Sequence, residues 1–142
     1  MKKDTIQKIR EFNRFYTGII GLTNNHILQS QYSLSEVRVM FEIYYKPTIT
    51  ARQIKEIVQI DEGYLSRLIS KLVKHGIIVK AKSKNDKREY SLTLTLKGKE
   101  TFLKLNERSS DSISGIIGHL DTNEQEELVS LFEKVMNLLV KK

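Results

Sequence analysis

Apolar residues recur at three- and four-residue steps along most of the chain, the spacing that places them on one face of an α-helix. The first such pattern covers residues 5–29 and contains Gly18 and Gly21, where the helix can bend. A second pattern begins behind the capping-box spacing Ser33–Glu36 and stops before Pro47. The chain therefore predicts a long amphipathic opening helix, followed by a helix of about three turns.

Two shorter helical patterns follow, each behind a residue that favours a helix N-terminus. Thr50 and Gln53 repeat the capping-box spacing ahead of the first of them. Asp61 is an N-cap for the second, and Gly76 supplies its C-terminal stop. The predicted buried stripe of this second helix consists of Leu65, Leu68, Ile69, Leu72 and Val73. We expect two short helices joined by a tight turn.

The period then changes from helical spacing to strict alternation. Residues 89–96 alternate between polar and apolar side chains, with Tyr90, Leu92, Leu94 and Leu96 on one face, the pattern of a half-buried strand. Residues 77–83 are its expected partner. The run between them, residues 84–88, is polar, charged and prone to turn, so the pair predicts a β-hairpin with a cationic tip.

Two further helices are predicted to close the chain. Thr95 is positioned to cap a helix through residues 97–119. Asp121 or Thr122 caps the last helix, in which apolar residues again return at helical spacing.

The order helix, helix, turn, helix, hairpin is that of a winged helix-turn-helix. Residues 33–96 suffice for such a lobe, and the segments 1–30 and 97–142 then carry apolar faces that need another surface. We expect one domain over residues 1–142, mainly α with a small β-hairpin (α+β), whose N- and C-terminal helices form a homodimer. The alternative is a monomer that folds these helices onto its own core.

Charge is concentrated in one part of the chain. The protein has 142 residues and a formal net charge of +7 at pH 7. Between Tyr64 and Lys99, ten cations stand against two carboxylates. A concentrated excess of this kind is typical of proteins that displace counterions from a phosphate backbone. A solvated basic face without a ligand is the alternative, since lysine-rich surfaces are common.

Composition and motifs argue against other functions. With no cysteine, the chain has no disulfide, thiolate zinc site or thiol nucleophile. Glycine-rich phosphate loops, metalloprotease motifs and nucleophile elbows are missing from the sequence, and the histidines His26, His75 and His119 are scattered. We predict neither an enzyme nor a metal or cofactor site; the alternative left open is a zinc site assembled from histidines and carboxylates that are distant in the sequence. Without an apolar run of signal or membrane-spanning length, the protein is expected in the cytoplasm.

The helix after Asp61 is the candidate recognition helix, because its outer face offers hydrogen-bonding and cationic groups for a major groove. The predicted DNA-binding residues on it are Gly63, Tyr64, Ser66, Arg67, Ser70, Lys71 and Lys74. The sequence assigns no role to Glu62. A carboxylate near DNA is repulsive unless it accepts from a cytosine amino group or pairs with Arg67.

The hairpin tip and the preceding helix are the other candidate contacts. Arginine is favoured in narrow minor grooves, so Arg88 is the candidate minor-groove residue of the wing. Lys84 and Lys87 accompany it, while Asp86 either orients Arg88 or simply forms the turn. Arg52 and Gln53 begin a helix whose N-terminal dipole favours phosphate, and ordinary solvated helix residues are the alternative.

These residues resemble the MarR family of bacterial transcription regulators along nearly the whole chain. The resemblance rests on Ile60–Leu68, Lys74–Ile78, Asp86–Arg88, Leu92–Thr95 and Gly98. It implies a homodimer that binds a pseudo-palindromic operator on double-stranded DNA. It also implies a repressor that small phenolic or other anionic ligands release. Cysteine-based peroxide sensing, which some members use, is excluded because the chain has no cysteine.

Two qualifications accompany the resemblance. The runs Ile9–Thr17 and Gly63–Arg67 are similar to MarR-like domains that are fused to acetyltransferases. We carry over only the DNA-binding half of that likeness and expect no acetyltransferase domain. The alternative function is a winged-helix protein-interaction module, whose basic face and hairpin bind an acidic protein partner. Salt dependence and sequence preference of DNA binding distinguish the two.

Overall fold

The computed structural model describes residues 2–21, 30–82 and 88–141. Within these ranges the elements are, in chain order, α1 (Lys3–Ile19), α2 (Leu34–Tyr45), β1 (Ile49–Thr50), α3 (Ala51–Val58), α4 (Glu62–Lys74), β2 (Ile78–Lys82), β3 (Tyr90–Leu94), α5 (Leu96–Ile117) and α6 (Thr122–Leu139). The chain divides into two compact units, Met1–Arg108 and Ser109–Lys142, and the boundary falls within α5. The expected mainly helical fold with a small antiparallel sheet is confirmed.

The sheet is antiparallel, with the strand order β1-β3-β2. Ile78 pairs with Leu94 and Lys82 with Tyr90, so the predicted hairpin forms in a regular register. A third strand, β1, pairs Ile49 with Leu92 and was not predicted from the sequence. It has two residues, too few for an alternating pattern to be visible.

The core of the first unit lies between α2, α3, α4, the sheet and the start of α5. Its fully buried large side chains are Phe102, Met40, Ile43, Ile49, Ile54, Leu72, Ile77, Ile78, Leu92 and Val39. Phe102 of α5 packs against Tyr44 of α2 with ring centroids 4.6 Å apart. This contact holds the first turns of α5 against α2.

Three apolar residues predicted on buried faces are exposed. Val73 is 39% exposed because it lies at the edge of the α4 stripe, about a quarter-turn away from its centre. Tyr90 stands at the first position of β3, where it is 47% exposed. Leu96 is 76% exposed because the strand ends at Leu94 and Leu96 begins α5 instead.

Local capping signals fix the helix-turn-helix. Thr50 Oγ1 accepts from the backbone N–H of Gln53 at 3.2 Å, and Gln53 Oε1 accepts from the N–H of Thr50 at 3.0 Å, as predicted. Asp61 caps α4 by accepting from the N–H of Tyr64 at 3.0 Å. Between the helices, Gln59 adopts a left-handed conformation with φ 55°, which ends α3 and allows the tight turn.

The close approach of α5 to the backbone of Ile77, just before β2, explains the Thr95–Gly98 spacing. Thr95 Oγ1 accepts from the N–H of Gly98 at 2.9 Å and so caps α5. A Cβ built on Gly98 would overlap the carbonyl oxygen of Ile77. Glycine at this position therefore lets the first turn of α5 lie directly on the backbone that leads into β2.

The opening helix is shorter than predicted. α1 ends at Ile19, and Gly21 has φ 74°, so the glycine lies just beyond the end of the helix and does not bend a longer one. The left-handed conformation of Gly21 is incompatible with a continuing α-helix. Residues 22–29, the remainder of the predicted helix, lie outside the described residues.

Neither α1 nor α6 buries a residue. The exposed apolar residues of α1 include Ile6, Ile9, Phe12, Phe15 and Ile19. Those of α6 are Val129, Leu131, Val135, Met136, Leu138 and Leu139. Asp121 caps α6 through a reciprocal capping box with Glu124, which decides between the two N-caps considered above. Among the described residues, no helix combines the length and the apolar character that a membrane span requires.

Candidate nucleic-acid interface

The predicted recognition-helix residues share the outer face of α4. Leu65, Leu68, Ile69 and Leu72 are buried and fix the rotation of the helix about its axis. The seven candidates all lie outside this stripe and are exposed: Gly63, Tyr64, Ser66, Arg67, Ser70, Lys71 and Lys74. The structure therefore brings the predicted residues onto one exposed helix face.

The first turns of α4 are organised around Arg67. Its guanidinium carbon lies 5.9 Å from the centroid of the Tyr64 ring, within the range of a cation–π contact. A Cβ on Gly63 would lie 3.3 Å from Oδ2 of Asp61 and 3.7 Å from Nη1 of Arg67. Glycine thus leaves room for both the capping carboxylate and the arginine.

Lys71 forms an ion pair within the protein that was not predicted from the sequence. Its Nζ donates to Oε1 of Glu36 at 2.7 Å, and the Glu36 side chain is only 7% exposed. The other carboxylate oxygen, Oε2, is buried and has no hydrogen-bond partner among the described residues. Lys71 therefore neutralises a carboxylate on α2, a role in addition to the DNA contact predicted for it.

The pairing of Glu36 also corrects the first predicted capping box. Ser33 Oγ accepts from the N–H of Glu36 at 3.3 Å, so the serine caps α2 as expected. The Glu36 carboxylate points to Lys71 and does not return to the backbone of Ser33. Only half of the predicted capping box is formed, because the ion pair with α4 uses the carboxylate.

The two predicted phosphate-binding residues of α3 differ in how their side chains are used. Gln53 completes the capping box with Thr50, so its side-chain oxygen is committed to the helix N-terminus. Arg52 lies 3.9 Å from Oε1 of Glu56 and 3.7 Å from Oε1 of Glu89, and it is 76% exposed. Arg52 thus links α3 to the residue preceding β3.

A cleft of about 490 Å³ lies between α3, α4 and the hairpin. The charged residues that line it within the described part of the chain are Arg52, Lys55, Lys80 and Arg88 together with Glu62 and Glu89. Cations thus outnumber carboxylates where the candidate wing residue, the recognition helix and the N-terminus of α3 come together. Lys55 and Lys80 were not among the predicted contacts. Lys80 belongs to the charged segment 64–99, so the charge distribution could have indicated it. Lys55 lies outside that segment, and no sequence motif marks it as a DNA contact.

Glu62 pairs with Lys55, not with Arg67. Its Oε2 lies 3.4 Å from the ammonium of Lys55, and the side chain is 84% exposed. Since Lys55 is on α3 and Glu62 is the first residue of α4, the ion pair spans the turn between the two helices.

Three wing residues lie outside the described part of the chain: Lys84, Asp86 and Lys87. The same holds for His26. Within residues 2–21, 30–82 and 88–141, no group of three or more histidines and carboxylates is placed to hold a metal ion.

Comparison with known proteins identifies the family. The MarR family model matches residues 32–90. The HTH-type transcriptional regulator BilQ of Clostridium symbiosum (strain WAL-14163) is 34% identical over 97 residues, which are 67% of each chain. The chain belongs to the MarR family. The resemblance given above is thereby confirmed, and with it the function of a transcription regulator.

Solved MarR-type structures share the fold. A mutant MarR from E. coli complexed with operator DNA is 22% identical and superimposes with a TM-score of 0.77, covering 93% of this chain and 95% of that one. PcaV from Streptomyces coelicolor, in complex with its natural ligand, is 19% identical with a TM-score of 0.69, covering 91% and 89%. The MarR architecture therefore extends beyond the residues that the family model matches.

Proposed function

We propose that this MarR-family regulator is a homodimeric repressor that binds a pseudo-palindromic operator and is released by a small-molecule ligand. The observation that carries the proposal is the exposed polar and cationic face of α4 beside a cleft lined by Arg52, Lys55, Lys80 and Arg88. Major-groove and phosphate contacts need this combination of groups.

In this proposal α4 enters the major groove, which is about 12 Å wide and admits one helix. Tyr64, Ser66, Arg67 and Ser70 face the base edges, and Lys74 faces the phosphate backbone. Arg88, two residues before β3, reaches the minor groove. Lys84 and Lys87, outside the described residues, are proposed as further DNA contacts, with Asp86 as the partner that orients Arg88. The likeness to the E. coli protein solved with operator DNA supports this mode of docking.

The cleft supplies the phosphate contacts. The DNA backbone between the major-groove helix and the minor-groove wing passes the gap between α4 and the hairpin. Lys55 and Lys80 join Arg52 in facing it, and the N-terminal dipole of α3 adds to the attraction. Arg52 is paired with two glutamates and exchanges one of them for a phosphate on binding, whereas Lys55 faces the backbone while it stays paired with Glu62.

Dimerisation follows from the uncovered helices. α1 and α6 are amphipathic and bury no residue, and a second copy of the chain is the surface that would cover them. The domain then extends over residues 1–142, with 33–96 as the DNA-binding lobe and 1–30 and 97–142 as the dimerising segments. A symmetric dimer presents two α4 helices about one turn of DNA apart.

The remaining parts of the proposal concern regulation. The ligand-bound structure of PcaV supports a small-molecule effector for this chain as well.

We assign no catalytic activity, because the site offers binding groups for DNA and ion pairs line its cleft. A repressor of this kind works on chromosomal DNA and hence in the cytoplasm.

Selection of binding sites from a random duplex library, sequenced at two salt concentrations, tests the proposal. We expect a pseudo-palindrome with half-sites about 10 base pairs apart. Enrichment of no motif, with binding lost uniformly as salt rises, would contradict it. Tight binding of an acidic protein together with weak, sequence-independent DNA binding would instead identify a protein-interaction module.

A further inference from the structure

Glu62 places a carboxylate on the cleft side of α4, one turn before Ser66 and beside the cationic and hydroxyl-bearing outer face of the helix. It is the first residue of α4 and the one acidic side chain in Glu62–Lys74, all of whose residues are described. The side chain is 84% exposed, so burial does not explain it. Because the N-terminal residues of a recognition helix contact base edges, this carboxylate is placed where sequence is read.

The ion pair with Lys55 leaves half of the carboxylate available. Oε2 lies 3.4 Å from the Lys55 ammonium, while Oε1 has no hydrogen-bond partner among the described residues. Lys55 therefore offsets the negative charge that would otherwise repel the phosphate backbone. The free oxygen remains an acceptor, whereas the cationic side chains of the neighbouring outer face can only donate.

The chemistry of the major groove restricts what this acceptor can meet. Guanine and thymine present only acceptors or a methyl group there, and a carboxylate is repelled by them. Adenine offers an amino group beside the N7 acceptor, which suits an amide better than a carboxylate. Cytosine offers its N4 amino group without an acceptor on the same base, so it is the base that a carboxylate fits.

We infer that Glu62 is a specificity-determining residue, which requires a cytosine in each operator half-site by accepting from its N4 amino group. The inference rests on the proposed function, since it needs α4 in the major groove. It assigns Lys55 the part of a positioning residue, which holds and partly neutralises the carboxylate through Oε2.

The test repeats the binding-site selection with four proteins: the natural chain, Glu62→Gln, Glu62→Ala and Glu100→Gln. The last variant is the matched control, since it removes the same charge from an exposed position on α5 that does not line the cleft. Circular dichroism confirms that each protein is folded. Affinities for the selected duplex and for a scrambled duplex are then measured by fluorescence anisotropy.

We expect the natural chain and Glu100→Gln to select the same motif, with one cytosine per half-site favoured by roughly 5- to 150-fold over other bases. Glu62→Gln should shift that position towards adenine, because an amide both donates and accepts. Glu62→Ala should leave the position without preference. Neither Glu62 variant should lose affinity for the scrambled duplex, since each removes a negative charge near phosphate.

Two results would overturn the inference, and they can be told apart. If the natural chain selects a motif and both Glu62 variants select it unchanged, Glu62 serves only the helix N-terminus and the Lys55 pair. If the natural chain selects no motif, the proposed function itself fails, and the role of Glu62 fails with it.

Discussion

The ammonium of Lys71 lies 2.7 Å from Oε1 of Glu36, so the recognition helix α4 is joined to α2 by an ion pair whose carboxylate is buried. A buried carboxylate without a partner is costly, because the protein interior replaces its hydration poorly. The orientation of α4 therefore determines whether the Glu36 carboxylate keeps its cationic partner.

Replacing Lys71 with methionine should therefore destabilise the protein. The substitution keeps most of the aliphatic stem and strands the Glu36 carboxylate, at a cost of about 1–3 kcal/mol in the free energy of unfolding. The lower part of that range is expected because Lys71 is 43% exposed and water reaches it. Urea denaturation followed by circular dichroism measures the change.

Lys74→Met is the matched control for Lys71. It removes the same charge from an exposed side chain that lies three residues further along the outer face of α4. Its free energy of unfolding should stay within about 0.5 kcal/mol of the natural chain. The opposite result is that Lys71→Met leaves the stability unchanged and lowers the salt slope of DNA binding by about one unit on every duplex. That result would show that the main role of Lys71 is to contact phosphate.

Gly98→Ala should destabilise the first unit. The added methyl group overlaps the backbone carbonyl of Ile77, which cannot move without disturbing the entry to β2. We expect a loss of about 2–3 kcal/mol in the free energy of unfolding. Gly115→Ala on the same helix is the control, because a Cβ there meets nothing within 4 Å and should stabilise α5 by up to about 1 kcal/mol. Equal effects at both positions would contradict the close approach.

Signals that act within a few residues predicted the fold well. The Thr50–Gln53 capping box, the Asp61 N-cap and the Gly76 stop each depend on neighbouring backbone groups, and each is found in the structure. The alternation in residues 89–96 likewise predicted the hairpin, because strand period and burial are read directly from the pattern.

Features that depend on packing between distant elements were missed. Glu36 and Lys71 are 35 residues apart, and nothing local distinguishes a carboxylate that caps its own helix from one that pairs across the core. The same reason applies to Lys55 and Glu62, whose pairing depends on the angle between α3 and α4. The strand β1 was not predicted because two residues are too few to show an alternating pattern.

Arg88→Ala should weaken operator binding without affecting the fold. An arginine inserted in a narrow minor groove contributes about 1–3 kcal/mol, which the alanine variant loses on the selected operator. Fluorescence anisotropy measures the affinity, and thermal unfolding should be nearly unchanged. Lys104→Ala on α5 removes one positive charge elsewhere and should cost little operator affinity. Operator affinity that is the same for Arg88→Ala and the natural chain would refute the minor-groove assignment.

A double substitution on α6, Val135→Glu with Leu139→Glu, should convert the proposed dimer into a monomer. The two side chains are 45% and 76% exposed and lie one turn apart on the apolar face, so charges there cost the isolated chain little. Within a dimer they would be desolvated without partners, at several kcal/mol. Sedimentation equilibrium should give twice 16.5 kDa for the natural chain and for the polar-face control Asn137→Glu, and 16.5 kDa for the double variant. Because a monomer carries one recognition helix, its operator affinity should fall steeply while circular dichroism stays unchanged. A double variant that remains dimeric would show that the apolar face of α6 is covered by something other than a second copy.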